Sequence, residues 1–132
     1  MQPQNKVRSY QDLSVWQKAM DLVVTIYKAT SAFPKTETYG LANQLRRAAI
    51  SVASNIAEGS AKRSTREFIR FINIASGSVA EMQTQTILSQ RLDYFDAVTY
   101  ARVIQSVDEI GRMLHGLQES LREKLNADLL VT

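Results

Sequence analysis

The chain of 132 residues contains no cysteine, which excludes disulfides, thiolate metal sites and cysteine nucleophiles. Its one histidine, His115, removes every chemistry that needs two. The zinc-peptidase pattern His-Glu-x-x-His is absent. So are the two Glu-x-x-His pairs that a ferritin-like di-iron bundle requires. His115 stands four residues before Glu119, a spacing that suits a surface ion pair as well as a ligand pair. A serine triad would have to use this histidine, and no glycine-flanked serine elbow accompanies it. The five glycines, Gly40, Gly59, Gly77, Gly111 and Gly116, stand singly, so no glycine-rich phosphate cradle is present. Two prolines and five glycines are too few turn residues for a sandwich or barrel. No apolar run is long enough to span a bilayer, and "MQPQNKVRSYQD" lacks the apolar core of a signal peptide. These absences predict a cytoplasmic protein that is not an enzyme, with no catalytic residues, cofactor, metal, small-molecule substrate or membrane partner.

What remains is helical. Residues are 45% hydrophobic and 22% charged with the signs mixed, an ordinary balance for one globular domain of this length. The first helix is expected over 13–32, with Asp12 as its N-cap. Leu13, Trp16, Met20, Val23 and Tyr27 recur at helical steps, and Ala19, Leu22 and Ile26 widen the stripe. Pro34 then breaks it. The second helix is expected over 41–58, burying Leu45, Ala48, Ala49, Val52 and Ile56, with Gly59 as a left-handed C-terminal cap. Ser64 followed by Glu67 is a capping box opening a third helix that runs to about residue 90. Asp96 caps the fourth, whose stripe runs from Val98 and Ala101 through Ile104, Val107 or Asp108, Ile110 or Gly111, Leu114, Leu117 and Leu121 to Leu125. Residues 1–11 and 126–132 read as weakly ordered tails of a single domain spanning 1–132. Four helices with short connections specify an all-α, antiparallel up-down-up-down four-helix bundle.

Three features bear on function. Between residues 44 and 70, Arg46, Arg47, Lys62, Arg63, Arg66 and Arg70 face only Glu58 and Glu67, a local balance of +4 against +3 for the whole chain. Such a basic patch suits contact with several phosphates. Its alternative use is pairing with carboxylates of a neighbouring subunit. Small residues crowd the second helix (Ala48, Ala49, Ser51, Ala53, Ser54, Ala57) and the third (Ala75, Ser76, Gly77, Ser78, Ala80). Mid-helix Gly77 costs about 0.8–1 kcal/mol relative to alanine, which predicts close backbone approach there. Asn55 and Glu58, one turn apart, are read as a structural polar cluster. Finally, Val15, Trp16, Val24 and Tyr27 of the first helix cannot all enter one small core, so association is expected.

The strings "DLSVWQKAMDLVVTIYKAT", "FPKTETYGLANQLRRAAISVASNIAEG", "STREFIRFINIASGSVAEMQTQ" and "EIGRMLHGL" resemble the four-helix-bundle proteins encoded by intervening sequences of bacterial 23S rRNA genes. The same family includes the accessory variability determinant of diversity-generating retroelements. The resemblance spans residues 10–125. It rests on Gln44–Leu45–Arg46–Arg47–Ala48, on Ser54 through Gly59, on Glu67 and Phe68, and on Gly77, Ser78, Glu81 and Gln85. Many relatives carry proline where this chain has Ala53, and a third-helix "ELET" reads Glu81, Met82, Gln83, Thr84 here. The resemblance implies a homopentamer with a positively charged surface. For retroelement members it implies binding of structured RNA and a reverse transcriptase.

Overall fold

The periodic segments fold into α1 (Ser14–Thr30), α2 (Leu41–Ala61), α3 (Thr65–Arg91) and α4 (Ala97–Val131). The computed structural model describes residues 9–131, and no strand occurs among the described residues. Short 3-10 turns, Tyr10–Asp12 and Lys35–Glu37, precede α1 and α2. Neighbouring helices run antiparallel: Gln83 meets Asp108 while Asn73 meets Gln118, so ten residues down α3 are ten residues up α4. Each of α1 and α3 packs on both α2 and α4, the cyclic order of an up-down-up-down bundle.

The core draws on all four helices. Leu45, Ala48, Ala49, Val52 and Ile56 of α2 are buried as their spacing predicts, against Ile72, Ala75, Val79 and Met82 of α3. Burying each large apolar side chain adds about 1.5–3 kcal/mol. On α1 the inward residues are Val15, Ala19, Leu22 and Ile26. The stripe read first is a flank: Leu13, Trp16 and Val23 pack partly against the core, while Met20 and Tyr27 are exposed. Both sets have helical spacing, so periodicity alone does not choose between them. On α4 the buried set is Val103, Val107, Ile110, Leu114 and Leu121. Val98 and Ala101 are exposed, because the run of steps that holds from Val103 onward does not pass through them.

Caps set the helix ends. Ser64 Oγ accepts from Glu67 N at 3.2 Å, half of the expected box, while the Glu67 carboxylate turns to Arg70 instead. Asp96 Oδ1 accepts from Thr99 N at 2.7 Å, as expected. That backbone bond, with Arg102 nearby, holds the Asp96 carboxyl below its ordinary value. Asp12 is not the cap of α1. It sits in the preceding turn, and Leu13 occupies the cap position without a side-chain bond. The start of α2 has no capping side chain of its own at Gly40. Glu37 supplies it from the turn before, with Oε1 accepting from Leu41 N and Oε2 from the Tyr94 hydroxyl, both at 3.0 Å. The bond to that carboxylate pushes the Tyr94 phenol up.

Gly59 does not end α2 in a left-handed turn. The helix continues to Ala61, and among the described residues only Asp93, with φ 61°, adopts a positive value. Gly59 is required for packing: a Cβ there would lie 2.8 Å from Phe71 Cβ and 2.9 Å from Phe68 Cδ1. Gly77 is the reverse case. A Cβ at Gly77 meets nothing within 4 Å, so no close approach inside the chain explains it. Residues 126–131 are not a loose tail but the last turns of α4, and residues 9–11 lie at or in the turn before α1. The expectation for residues 1–8 and for Thr132 lies outside the described residues.

Candidate nucleic-acid interface

The turn between α2 and α3 is only three residues, from Lys62 to Ser64. It is tight because glycine at position 59 admits Phe68 and Phe71 against the backbone. Phe71 is buried, and its ring is the platform for two cations. Lys62 Nζ lies 5.4 Å from the ring centroid and Arg70 Cζ lies 4.7 Å from it. Each contact adds about 0.5–1 kcal/mol at an exposed site. Arg70 also donates to Glu67 Oε1 at 3.1 Å, a surface pair of small energetic weight. Arg63 and Arg66 are exposed and take no carboxylate partner among the described residues. One end of the bundle therefore gathers Lys62, Arg63, Arg66 and Arg70, with only Arg70 neutralised.

Arg46 and Arg47 are elsewhere. From Arg47 to Arg63 the chain climbs α2 by about 24 Å at 1.5 Å per residue, roughly three Debye lengths at physiological salt. Arg46 is turned onto α1: its Nε donates to Thr30 Oγ1 at 2.9 Å, Nη2 reaches Tyr27 O at 3.4 Å, and Cζ stacks 4.6 Å over the Tyr27 ring. Its guanidinium holds two helices together, which removes most of it from a patch. Arg47 points outward into a groove of about 270 Å³ lined by Gln44, Ala48, Ser51, Glu81 and Gln85. The six cations are thus four at the turn, one in a groove and one laid half-buried across α1.

Asn55 does belong to a structural polar cluster, though not with Glu58. Its Nδ2 donates to Ser51 O at 2.8 Å and to Ser51 Oγ at 3.1 Å, and Ser51 Oγ lies 2.8 Å from Ser78 Oγ on α3. Glu58 is exposed and takes no ion pair among the described residues. His115 lies 3.7 Å from Glu119 with both side chains exposed, and no metal-holding group of three or more ligands occurs among the described residues. The open depression between α3 and α4, about 740 Å³, is crossed by Gln83 donating to Asp108 at 3.0 Å and by Gln118 donating to Asn73. What sequence reasoning missed is the burial of Gln85, which it named only as a residue of the family motif. Its Oε1 is buried beside the α2–α3 groove and has no hydrogen-bond partner. A glutamine one helical turn beyond Glu81 reads as a surface residue, and only packing reveals that it is enclosed.

No helix among the described residues is long and apolar enough to cross a membrane. No curated protein matches the chain. The chain aligns with a solved protein of unknown function from the S23 ribosomal protein family of Bacteroides thetaiotaomicron. That alignment has a TM-score of 0.73 and 23% identity, covering 80% of this chain and 95% of that one. At that identity the likeness carries the four-helix fold alone. The model of the family described as 23S rRNA-intervening sequence protein matches residues 11–116, and the chain belongs to that family.

Proposed function

We propose that this member of the 23S rRNA-intervening sequence protein family is a cytoplasmic, homo-oligomeric RNA-binding accessory protein that acts by binding and not by catalysis. The observation that carries the reading is the α2–α3 turn. Lys62, Arg63 and Arg66 project from it without carboxylate partners, braced by the buried Phe71 ring beneath Lys62. A cluster of this kind contacts phosphates and leaves base edges unread, so it favours a folded RNA or a ribonucleoprotein over a short sequence motif. The family resemblance supports a homopentamer and, as the ribonucleoprotein partner, structured RNA with a retroelement reverse transcriptase. The competing reading, a purely structural scaffold, is favoured by Arg46, whose guanidinium already serves a contact between helices.

Anisotropy titration of a labelled, structured RNA at several salt concentrations tests the reading. Three phosphate contacts give a log–log salt slope of about −2 to −3. Lys62→Ala/Arg63→Ala/Arg66→Ala should abolish most of that slope while leaving mass and helicity unchanged. Absence of binding by the wild type at low salt would remove the RNA reading and leave the scaffold.

A further inference from the structure

Charge is arranged in two ways along the seam between α1 and α4. Near its middle, Lys18 Nζ of α1 meets Glu109 Oε2 of α4 at 3.4 Å, a cation against an anion. Further along, about 15 Å up α1 at 1.5 Å per residue, the pairing changes. There Lys28 of α1 and Arg102 of α4 line the same pocket of about 440 Å³. Both are exposed, and neither takes an ion pair among the described residues. Asp96 is the one acidic residue in the pocket wall. Its Oδ1 accepts from Thr99 N at 2.7 Å, so it caps α4 and holds the helix end against any other anion. Two cations and one carboxylate leave the wall with a single net positive charge. Like charges around a shared space repel, and an anion placed between them turns that repulsion into attraction.

The shape has its own cause. Thr25 and Ala29, one turn apart on α1, and Ala32 just beyond the helix put only short side chains on this part of the seam. The space they leave is floored by Phe95 and Val103, both buried. Phe95 is packed from behind by Phe33, with ring centroids 5.2 Å apart, which keeps the floor from moving into the opening. An apolar floor beneath a few charged groups, within the roughly 300–1,000 Å³ of small-molecule sites, is the composition of a ligand pocket.

We infer that this pocket binds a small organic monoanion, a carboxylate carried on a compact aromatic body. The carboxylate lies between Lys28 and Arg102, where a guanidinium can take both of its oxygens. The ring lies on Phe95 and Val103 beside Ala29. A monoanion matches the single net charge of the wall, whereas the nearly double charge of a phosphate monoester would meet Asp96 uncompensated. The ligand is held and not transformed. The pocket is at the opposite end of the bundle from Lys62, Arg63 and Arg66, so it is independent of the RNA reading, and either can fail alone.

Fluorine NMR of 4-fluorobenzoate titrated with the protein tests the site. The signal should broaden and shift saturably, and unlabelled benzoate should reverse the change. Lys28→Ala/Arg102→Gln, at two exposed positions, should weaken binding by about tenfold or more. Ala29→Leu keeps every charge and fills the opening, so it should remove binding. Asp96→Asn keeps a capping side chain and removes the repelling carboxylate, so it should tighten binding. Arg63→Ala/Arg66→Ala should leave it as in the wild type. No saturable response from the wild type overturns the site. Equal binding of neutral 4-fluorobenzamide overturns the role of the two cations. An equal loss in Arg63→Ala/Arg66→Ala also overturns the pocket, because it would show general attraction to a basic protein.

Discussion

At one end of the bundle the chain closes on itself. Phe33 packs 5.1 Å from Tyr94 and 5.2 Å from Phe95, ring centroid to centroid, while Glu37 ties the start of α2 to the Tyr94 hydroxyl. At the other end, between α2 and α3, the buried part is an aromatic contact on Gly59, and the outer part is cationic with little neutralising charge. Both ends reverse the chain. The first ties its aromatic rings and the Glu37 carboxylate to one another. The second separates the two tasks, with packing below and free charge above, and such a separation leaves charged side chains available to a partner without loss of stability.

The contrast breaks most directly at Phe95. Its truncation to alanine should lower the unfolding free energy by about 3–5 kcal/mol, whereas Arg63→Ala and Arg66→Ala should each stay within about 0.5 kcal/mol. Denaturant midpoints for the three variants decide it, and equal losses would erase the difference between the ends. Next in size is Gly59→Ala. Its new methyl must displace Phe68 or Phe71, for about 1–3 kcal/mol, with no change expected in the charge of the turn. Ser64→Ala removes the one side-chain cap of α3 and should cost about 1 kcal/mol by the same measurement.

The smallest effects probe the closed end by pH. Tyr94 has a raised folded value, so its contribution is complete below the ordinary phenol value of 10.0 and fades as pH rises through the raised one. Asp96 has a lowered folded value, so its contribution is present above the ordinary 3.8 and is lost as pH falls through the lowered one. Melting curves of Tyr94→Phe and Asp96→Asn should converge on the wild type at the alkaline and acid extremes respectively. Parallel curves at all pH values would show that neither bond titrates with folding.

Most of the fold was legible because helical spacing, a proline break and the caps at Ser64 and Asp96 are local signals. All five α2 residues read as buried are buried, and Leu41, Ala42 and Ala53 join them. The readings that failed depended on distance between elements. Asp12 has the chemistry of an N-cap, but an adjacent turn occupies the place. Gly59, in the last turn of α2, and Gly77, in the middle of α3, are each followed by serine. One is crowded by two phenylalanines from the next helix and the other faces open space, a difference that no local propensity contains. The basic residues were counted correctly and grouped wrongly, because a net charge over a segment says nothing of which way Arg46 turns.

The sequence by itself determined the helix count, the alternation of their direction, the absence of thiol and two-histidine chemistry, and the excess of positive charge between residues 44 and 70. These follow from composition, period and turn residues, which act over a few positions of the chain. Only the tertiary structure decided which cations are free, that Glu37 caps a helix it does not belong to, and that Gln85 is enclosed with an unmet acceptor. Those properties depend on which side chain from a distant segment arrives at a given surface, and burial and pairing are defined only once the helices have packed.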